Sequence, residues 1–245
     1  MDLLMYEWRR ARSIRTTWIT SLFVILAVVG FAYLFSVAAT DVDGNPLRVP
    51  AAEVVSQSVI GNPIVMVLVA SLGAMAFGHE YRYGTIRLTL TAFPRRTGVF
   101  FAKLLATLLI PLLVVAIAVA ASYGLLVALG SADTTFLGDT SVTWTDAIWQ
   151  IVVFCLTYAV LAFCLTVITR NHPLGIIGPL LLSLVETALI AILGGRAEWL
   201  PKVLPLSSMQ SWFSGEEVTR SVAVWAAWLL ALLVLGFVLL RRRDA

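Results

Sequence analysis

Residues 77–103 read FGHEYRYGTIRLTLTAFPRRTGVFFAK and sit between two long apolar runs. Five basic residues (Arg82, Arg87, Arg95, Arg96 and Lys103), one acid and one histidine fall in this single stretch. The chain around it is of a different kind. Of its 245 residues 60% are hydrophobic and 13% charged, with a mean hydropathy of +0.94. Soluble domains are usually about 25% charged, so this length is better measured in membrane spans of about 20 apolar residues each.

Six segments are apolar enough to cross a bilayer: 17–39, 60–77, 104–129, 147–169, 173–193 and 221–240. The second has the shortest apolar core, with Asn62-Pro63 near its start. The pattern there predicts the inner part of a longer helix beginning near Ala51, with Gln57, Ser58 and Asn62 turned towards protein or water. Basic residues, then an apolar run, then Ser36-Val37-Ala38 resemble a cleavable leader. The run is longer than a leader's apolar core, and the expectation is an uncleaved span.

Lysine and arginine set the orientation. With both termini inside, thirteen of the seventeen basic residues lie on the cytoplasmic side, leaving Arg48, Arg196, Lys202 and Arg220 outside. The outer loops 40–56, 130–146 and 194–220 then hold most of the acids, among them Asp41, Asp43, Asp133, Asp139, Glu216 and Glu217. Spans four and five are joined on the inside by only Arg170-Asn171-His172, a tight hairpin closed by Pro173.

The net charge of +3 does not indicate a nucleic-acid partner, because the basic residues flank apolar runs and form no basic domain. Cys155 and Cys164, nine residues apart in one apolar run, suit neither a disulfide framework nor a metal site and read as packing residues. His79-Glu80 lacks the second histidine of a zinc peptidase motif, Tyr83 standing in its place. No glycine-rich phosphate loop and no G-x-S-x-G turn occurs. The chain reads as neither an enzyme nor a holder of metal or nucleotide.

In the first eighteen residues Leu4, Trp8, Ala11 and Trp18 recur at helical spacing while Arg9, Arg10, Arg12 and Arg15 lie mostly off that stripe. This predicts an amphipathic helix in the inner interface, used either as a topology anchor or as an elbow that passes movement to the first span. Ala116, Ala120, Gly124 and Ala128 form a four-residue ridge on span three, suited to close helix packing within the chain or to a dimer seam. Glu186 is the one acid inside an apolar run, about 20 Å along a helix from Pro173 and so in the outer half of the bilayer. It reads either as a structural hydrogen bond to another helix or as a group lining a substrate path or dimer interface. Gln57 and Asn62 are the other polar candidates for such a path.

The opening stretch mixes charge with Tyr81, Tyr83, Ile86, Leu88 and Leu90, apolar side chains that a plain turn does not need. Glu80 suits a helix start, Gly84 weakens that helix, Pro94 interrupts the element, and Lys103 opens span three. A short ordered element of this kind is suited to docking a partner; a positive loop serving topology alone is the plainer alternative.

These residues, with the topology, resemble the permease subunits of ABC-2-type ABC transporters across essentially the whole chain. The carriers of the resemblance are Glu80 at the end of span two, the pair Gly84-Thr85, Pro94 with Arg95 and Arg96, and Lys103. Two features depart from the family: no serine precedes the arginine of the proline motif, and the segment before span six is too short for a large outer domain. The resemblance implies an all-α integral membrane protein, six transmembrane helices behind an interfacial N-terminal helix with both termini inside. It implies one transmembrane domain over 1–245, with an elbow at 1–16, a coupling loop at 78–103 and an outer segment at 194–220. It also implies a bacterial cytoplasmic membrane, two copies of a separate ATPase that bind ATP and Mg, and a second permease, identical or paralogous. Contact with the ATPase would fall on Glu80, Tyr81, Arg82, Tyr83, Gly84, Thr85, Ile86 and Arg87, and secondarily on Arg170, Asn171 and His172. In the outer segment Pro201 and Pro205 suit short helices that either cap the path or form an aromatic belt. The cargo expected is hydrophobic or amphipathic: a drug, antibiotic, peptide or lipid. The rival readings are a proton-coupled transporter using Glu186 and a non-transporting scaffold or sensor.

Overall fold

A computed structural model of the chain describes residues 3–38, 50–93, 95–130, 142–193 and 196–242. Those residues form ten α-helices and no strand. Six are long and apolar enough to cross a membrane: α2 (Arg15–Ala38), α4 (Pro63–Arg82), α6 (Arg96–Ala128), α7 (Trp144–Thr169), α8 (His172–Leu193) and α10 (Val218–Arg242). Four shorter helices complete the chain: α1 (Leu3–Ser13), α3 (Ala51–Val59), α5 (Ile86–Ala92) and α9 (Pro205–Phe213).

The core is built on α4 and α7. Their spanning windows are 67% and 72% buried, against 11% for α8 and for α10, because α4 and α7 are enclosed by the other helices while α8 and α10 leave apolar faces for lipid or a partner. Small residues make the enclosure possible. Gly73 of α4 lies against the backbone of Ala159 on α7, where a Cβ would have no room, the close approach small residues permit between membrane helices. An aromatic cluster ties four helices together: Phe163 lies 5.4 Å from Phe77 and 5.3 Å from Phe100, which lies 5.4 Å from Phe237.

The first described helix and the end of the last one meet at one end of the bundle. Arg96, at the start of α6, donates to the carbonyls of Leu240 and Arg241 near the end of α10, both at 3.2 Å, and α1 packs on α6 at the same level. The helix α5 lies at this end, and α3 and α9 lie at the other.

Three sequence expectations change. The second span is not a continuation of a helix from Ala51: α3 stops at Val59, Gly61 turns with φ +74°, and α4 starts afresh. Asn62 causes the restart, its Oδ1 accepting from the amides of Ile64 (3.0 Å) and Val65 (3.4 Å) with Pro63 next in line, a side-chain cap with proline at the first helical position. Glu80 lies in the last turn of α4, not at a helix start. Lys103, expected at the entry to span three, lies within α6, which begins seven residues earlier at Arg96. The ridge Ala116, Ala120, Gly124 and Ala128 is exposed and does not pack within the chain; Ala116 and Ala120 line an apolar groove of about 510 Å³ between α6 and α7. Pro94, Arg243, Arg48, Asp41, Asp43, Asp133 and Asp139 lie outside the described residues.

Candidate functional site

At the end carrying α1, α4 is ended by its own sequence. Gly84 adopts φ +67° and donates its amide to Tyr81 O (3.4 Å), while the Thr85 amide reaches back to Glu80 O at 3.0 Å. This is a Schellman ending, in which a left-handed residue, usually glycine, closes the last turn and redirects the chain. Thr85 then accepts from Thr89 N at 3.2 Å and so opens α5. The Gly84-Thr85 pair is therefore the joint between a buried spanning helix and a short projecting one.

The projecting helix has two faces. Ile86 and Thr89 are buried against the bundle, and beyond the helix Phe93 packs on Tyr6 of α1 with ring centroids 5.5 Å apart. Arg82, Gly84, Thr85 and Arg87 are exposed, as are Tyr83 and Leu88, at 69% and 70%. The Arg82 guanidinium lies 5.7 Å from the Tyr83 ring centroid. Tyr81 is half-buried and stacks on Phe77. Of the eight residues expected on the first coupling surface, five (Arg82, Tyr83, Gly84, Thr85 and Arg87) are thus presented or form the joint, Tyr81 is half-buried, and Glu80 and Ile86 turn inward.

Glu80 turns into a charge cluster that the sequence reading did not assemble. Lys103, fully buried, donates to Glu80 Oε1 at 2.7 Å, to Glu7 Oε1 at 2.8 Å and to Ala76 O at 3.1 Å. Arg10 pairs with Glu80 Oε1 and with Glu7 Oε2 (3.3 Å), and donates to the carbonyls of Met75 (3.1 Å) and Ala76 (2.7 Å). Two acids and two bases from α1, α4 and α6 thus balance one another at a place where Glu7 and Glu80 are each only 4% exposed. The ammonium of Lys103 also lies 5.1 Å from the Phe77 ring centroid. Charges so enclosed are stable only when paired, and removing one member leaves its partner buried and uncompensated. Leu4, Met5 and Trp8 of α1 face outward, while Glu7 and Arg10 turn in. The available signal was the Glu7-x-x-Arg10 spacing, one helical turn, which places both on one face. Between α1, α4 and α5 a cavity of about 540 Å³ opens, bordered by Arg10, His79, Glu80, Tyr83 and Leu88.

The second connection at this end is short. Arg170 ends α7 with φ 54°, in the left-handed region. Asn171 caps α8, its Oδ1 accepting from Leu174 N at 3.2 Å. Its neighbour His172 is buried against Gly78, where a Cβ would displace the ring, and lies 5.4 Å from His79. The short connection is thereby fastened to the last turns of α4, beside the joint.

The polar candidates along the spans lie apart from one another. Gln57 is exposed and donates to Glu53 on its own helix at 3.1 Å, and Asn62 is the cap already described. Glu186, 3% exposed, receives the amide of Leu206 (3.3 Å) and both the amide (3.0 Å) and hydroxyl (3.0 Å) of Ser207. These are the second and third residues of α9, so the carboxylate sits on a helix N-terminus, where unpaired amides and the dipole favour an anion. Further along α9, Trp212 packs on Trp149 and Trp225, at 5.1 and 5.5 Å.

Six spanning helices, α1 and the end of α10 at one end of the bundle and a short helix projecting there from a charge-locked root define a multi-pass membrane protein of the permease type. The chain belongs to the ABC-2 family of transporter proteins, whose family model matches residues 3–188. That match covers α1 to α8 up to Ala188, the charge cluster, the joint and Glu186 included. No curated protein matches the chain.

Proposed function

We propose that this chain is the membrane-spanning subunit of an ATP-driven exporter in a bacterial cytoplasmic membrane, with both termini and α5 on the cytoplasmic side. Its α5 seats on a separate ATPase subunit, which alone binds ATP and Mg. Two permeases, identical or paralogous, work with two ATPases, and the short connection at Arg170–His172 makes a second, smaller contact. The cargo is hydrophobic or amphipathic, since the spans offer few fixed charges to hold a polar solute.

The observation that carries this reading is the joint: a left-handed glycine turns the end of a buried helix into a short helix with Tyr83 and Leu88 exposed, above a root locked by four paired charges, three of them buried. Closure of the ATPase pair would push α5, and α4 would carry that push into the bundle while the cluster makes α1 and α6 follow. A saturated Glu186 suits an anchor for α9 better than a titrating carrier of protons.

The test is purification from the native membrane in mild detergent, followed by identification of stoichiometric partners and ATP-dependent transport of a hydrophobic dye in vesicles. A P-loop ATPase should accompany the native chain and be lost with Leu88→Glu. Gly84→Val should retain the fold yet lose transport, because a β-branched residue is strained at positive φ, whereas Gly84→Asn should keep most of it. Recovery of no ATPase, or equal recovery with Leu88→Glu, would sink the reading.

A further inference from the structure

At the end of the bundle opposite α5, the turn from α9 into α10 encloses a polar pocket of about 340 Å³, bordered by Lys202, Ser208, Ser211, Glu216, Glu217 and Arg220. Its charges are unevenly paired. Glu217, held at φ 40°, takes both bases: Arg220 Nη1 lies 2.5 Å from its Oε2 and Lys202 Nζ 3.7 Å from its Oε1. Arg220 Nη2 also donates to Lys202 O at 3.4 Å. This triad keeps one positive charge in excess.

The balancing negative charge is Glu216, whose carboxylate has no ion-pair partner among the described residues. Its backbone is fixed on both sides, the amide donating to Ser211 O (2.9 Å) and the carbonyl accepting from Ser221 Oγ (3.2 Å). A second, independent feature lies in the same pocket. Ser208 on α9 is 2% exposed, and its hydroxyl has no hydrogen-bond partner, which buried hydroxyls rarely tolerate without a ligand or water. Close by, Trp228 donates to Val203 O at 2.9 Å and Trp199 is 64% exposed, the kind of aromatic residue found at head-group level.

We propose that this pocket binds a zwitterion bearing a primary ammonium and an oxyanion, the chemistry of a phosphoethanolamine group. The ammonium goes to Glu216; the oxyanion goes to Lys202 and the Ser208 hydroxyl. A simple anion meets two carboxylates there, and a simple cation meets the excess charge of the triad, so neither is matched as well as a molecule carrying both. The source is either a bilayer lipid head group or a free solute.

The experiment is native mass spectrometry of the delipidated full chain, with whatever partner co-purifies, titrated with phosphatidylethanolamine, phosphatidylglycerol and phosphatidylcholine of the same acyl chains. Phosphatidylethanolamine should be retained about fivefold better than the other two, the discrimination one partly exposed charged contact can give. Glu216→Gln, at an exposed position, should abolish that preference without changing the melting temperature, and Ser208→Ala should weaken retention of phosphatidylethanolamine. Soluble glycerophosphoethanolamine is added as a competitor. Displacement of the lipid assigns the site to the zwitterion from either source, and lack of displacement assigns it to the intact lipid. Equal retention of all three lipids, or a preference that survives Glu216→Gln, overturns the proposal.

Discussion

Lys103→Met is the perturbation that most directly tests the charge cluster. The native ammonium is fully buried and holds Glu7 at 2.8 Å and Glu80 at 2.7 Å. Methionine fills a similar volume but leaves Arg10 to balance two carboxylates, so a net negative charge is buried where there was none. Breaking a buried pair by removing one partner costs about 3–5 kcal/mol. For a chain of this size a kilocalorie corresponds to about 2–4 °C, so the expected fall in melting temperature is about 6–20 °C. The assay is thermal unfolding in detergent at a fixed scan rate, because membrane proteins commonly unfold irreversibly and their apparent midpoints depend on the rate. A double-mutant cycle supplies the control. Glu7→Gln alone should also destabilise, since it leaves a positive excess, but Glu7→Gln with Lys103→Met restores neutrality around Arg10 and Glu80. The double variant should therefore melt above Lys103→Met alone. A Lys103→Met midpoint within a degree or two of the parent, or strict additivity of the two changes, would refute the idea of one coupled four-charge unit.

Two further outcomes follow from particular contacts. Gly78→Ala forces a Cβ into the ring of His172 and should destabilise by about 1–3 kcal/mol, the usual range for overpacking. Adding His172→Ala should recover most of that in the same melting assay, whereas Gly73→Ala, which meets the immovable backbone of Ala159, should have no comparable single-site rescue. Glu186→Leu removes the acceptor for the Leu206 and Ser207 amides. Leaving such groups unsatisfied costs about 1–3 kcal/mol each, so hydrogen exchange across residues 205–213 should accelerate by about tenfold or more. Glu186→Gln, which keeps one acceptor oxygen, should show a smaller effect; unchanged exchange in both variants would remove the anchoring role.

The parts legible in the sequence were those written in local pattern. Twenty-residue apolar runs do not need tertiary information to declare themselves as spans, and a glycine in the last turn of a helix marks a break wherever the chain goes next. Asn62-Pro63 carried a helix start as plainly, yet the apolar residues on both sides argued for continuity, and Gly61 at positive φ decided otherwise. The charge cluster was hidden for a different reason. Glu7 and Lys103 are 96 residues apart, and each alone looks like an ordinary charged residue at a membrane surface. Only the packing of α1 against α6 makes them partners. Glu186 was flagged as an acid in need of a partner, but its partners are mostly backbone amides, which have no signature of their own. Pro205, suited to the first position of a helix, was the one local hint that a helix N-terminus lay there.

The arrangement of these contacts bears on how a push at α5 would travel under the proposed function. A flexible joint transmits little unless the element behind it is stiff, and α4 is held on every side by contacts that resist shear. At its root it is ion-paired to α1 and α6. In its last turns it carries His172 against Gly78, and five residues further in it meets the backbone of α7 at Gly73. Packed interfaces of this kind move as blocks rather than deform continuously, so α4 cannot advance alone. The block that moves with it comprises α1, the start of α6, α7 and the start of α8. Less enclosed are α10 and α9; α9 is held to α8 through Glu186 and to α7 through Trp149 against Trp212 and Gln150 donating to Phe213 O at 3.3 Å. A displacement entering at the Gly84 joint would therefore emerge at the opposite end as a change between α9–α10 and the block. Glu186 and the Trp149–Trp212 contact are the places that must hold or yield when it does.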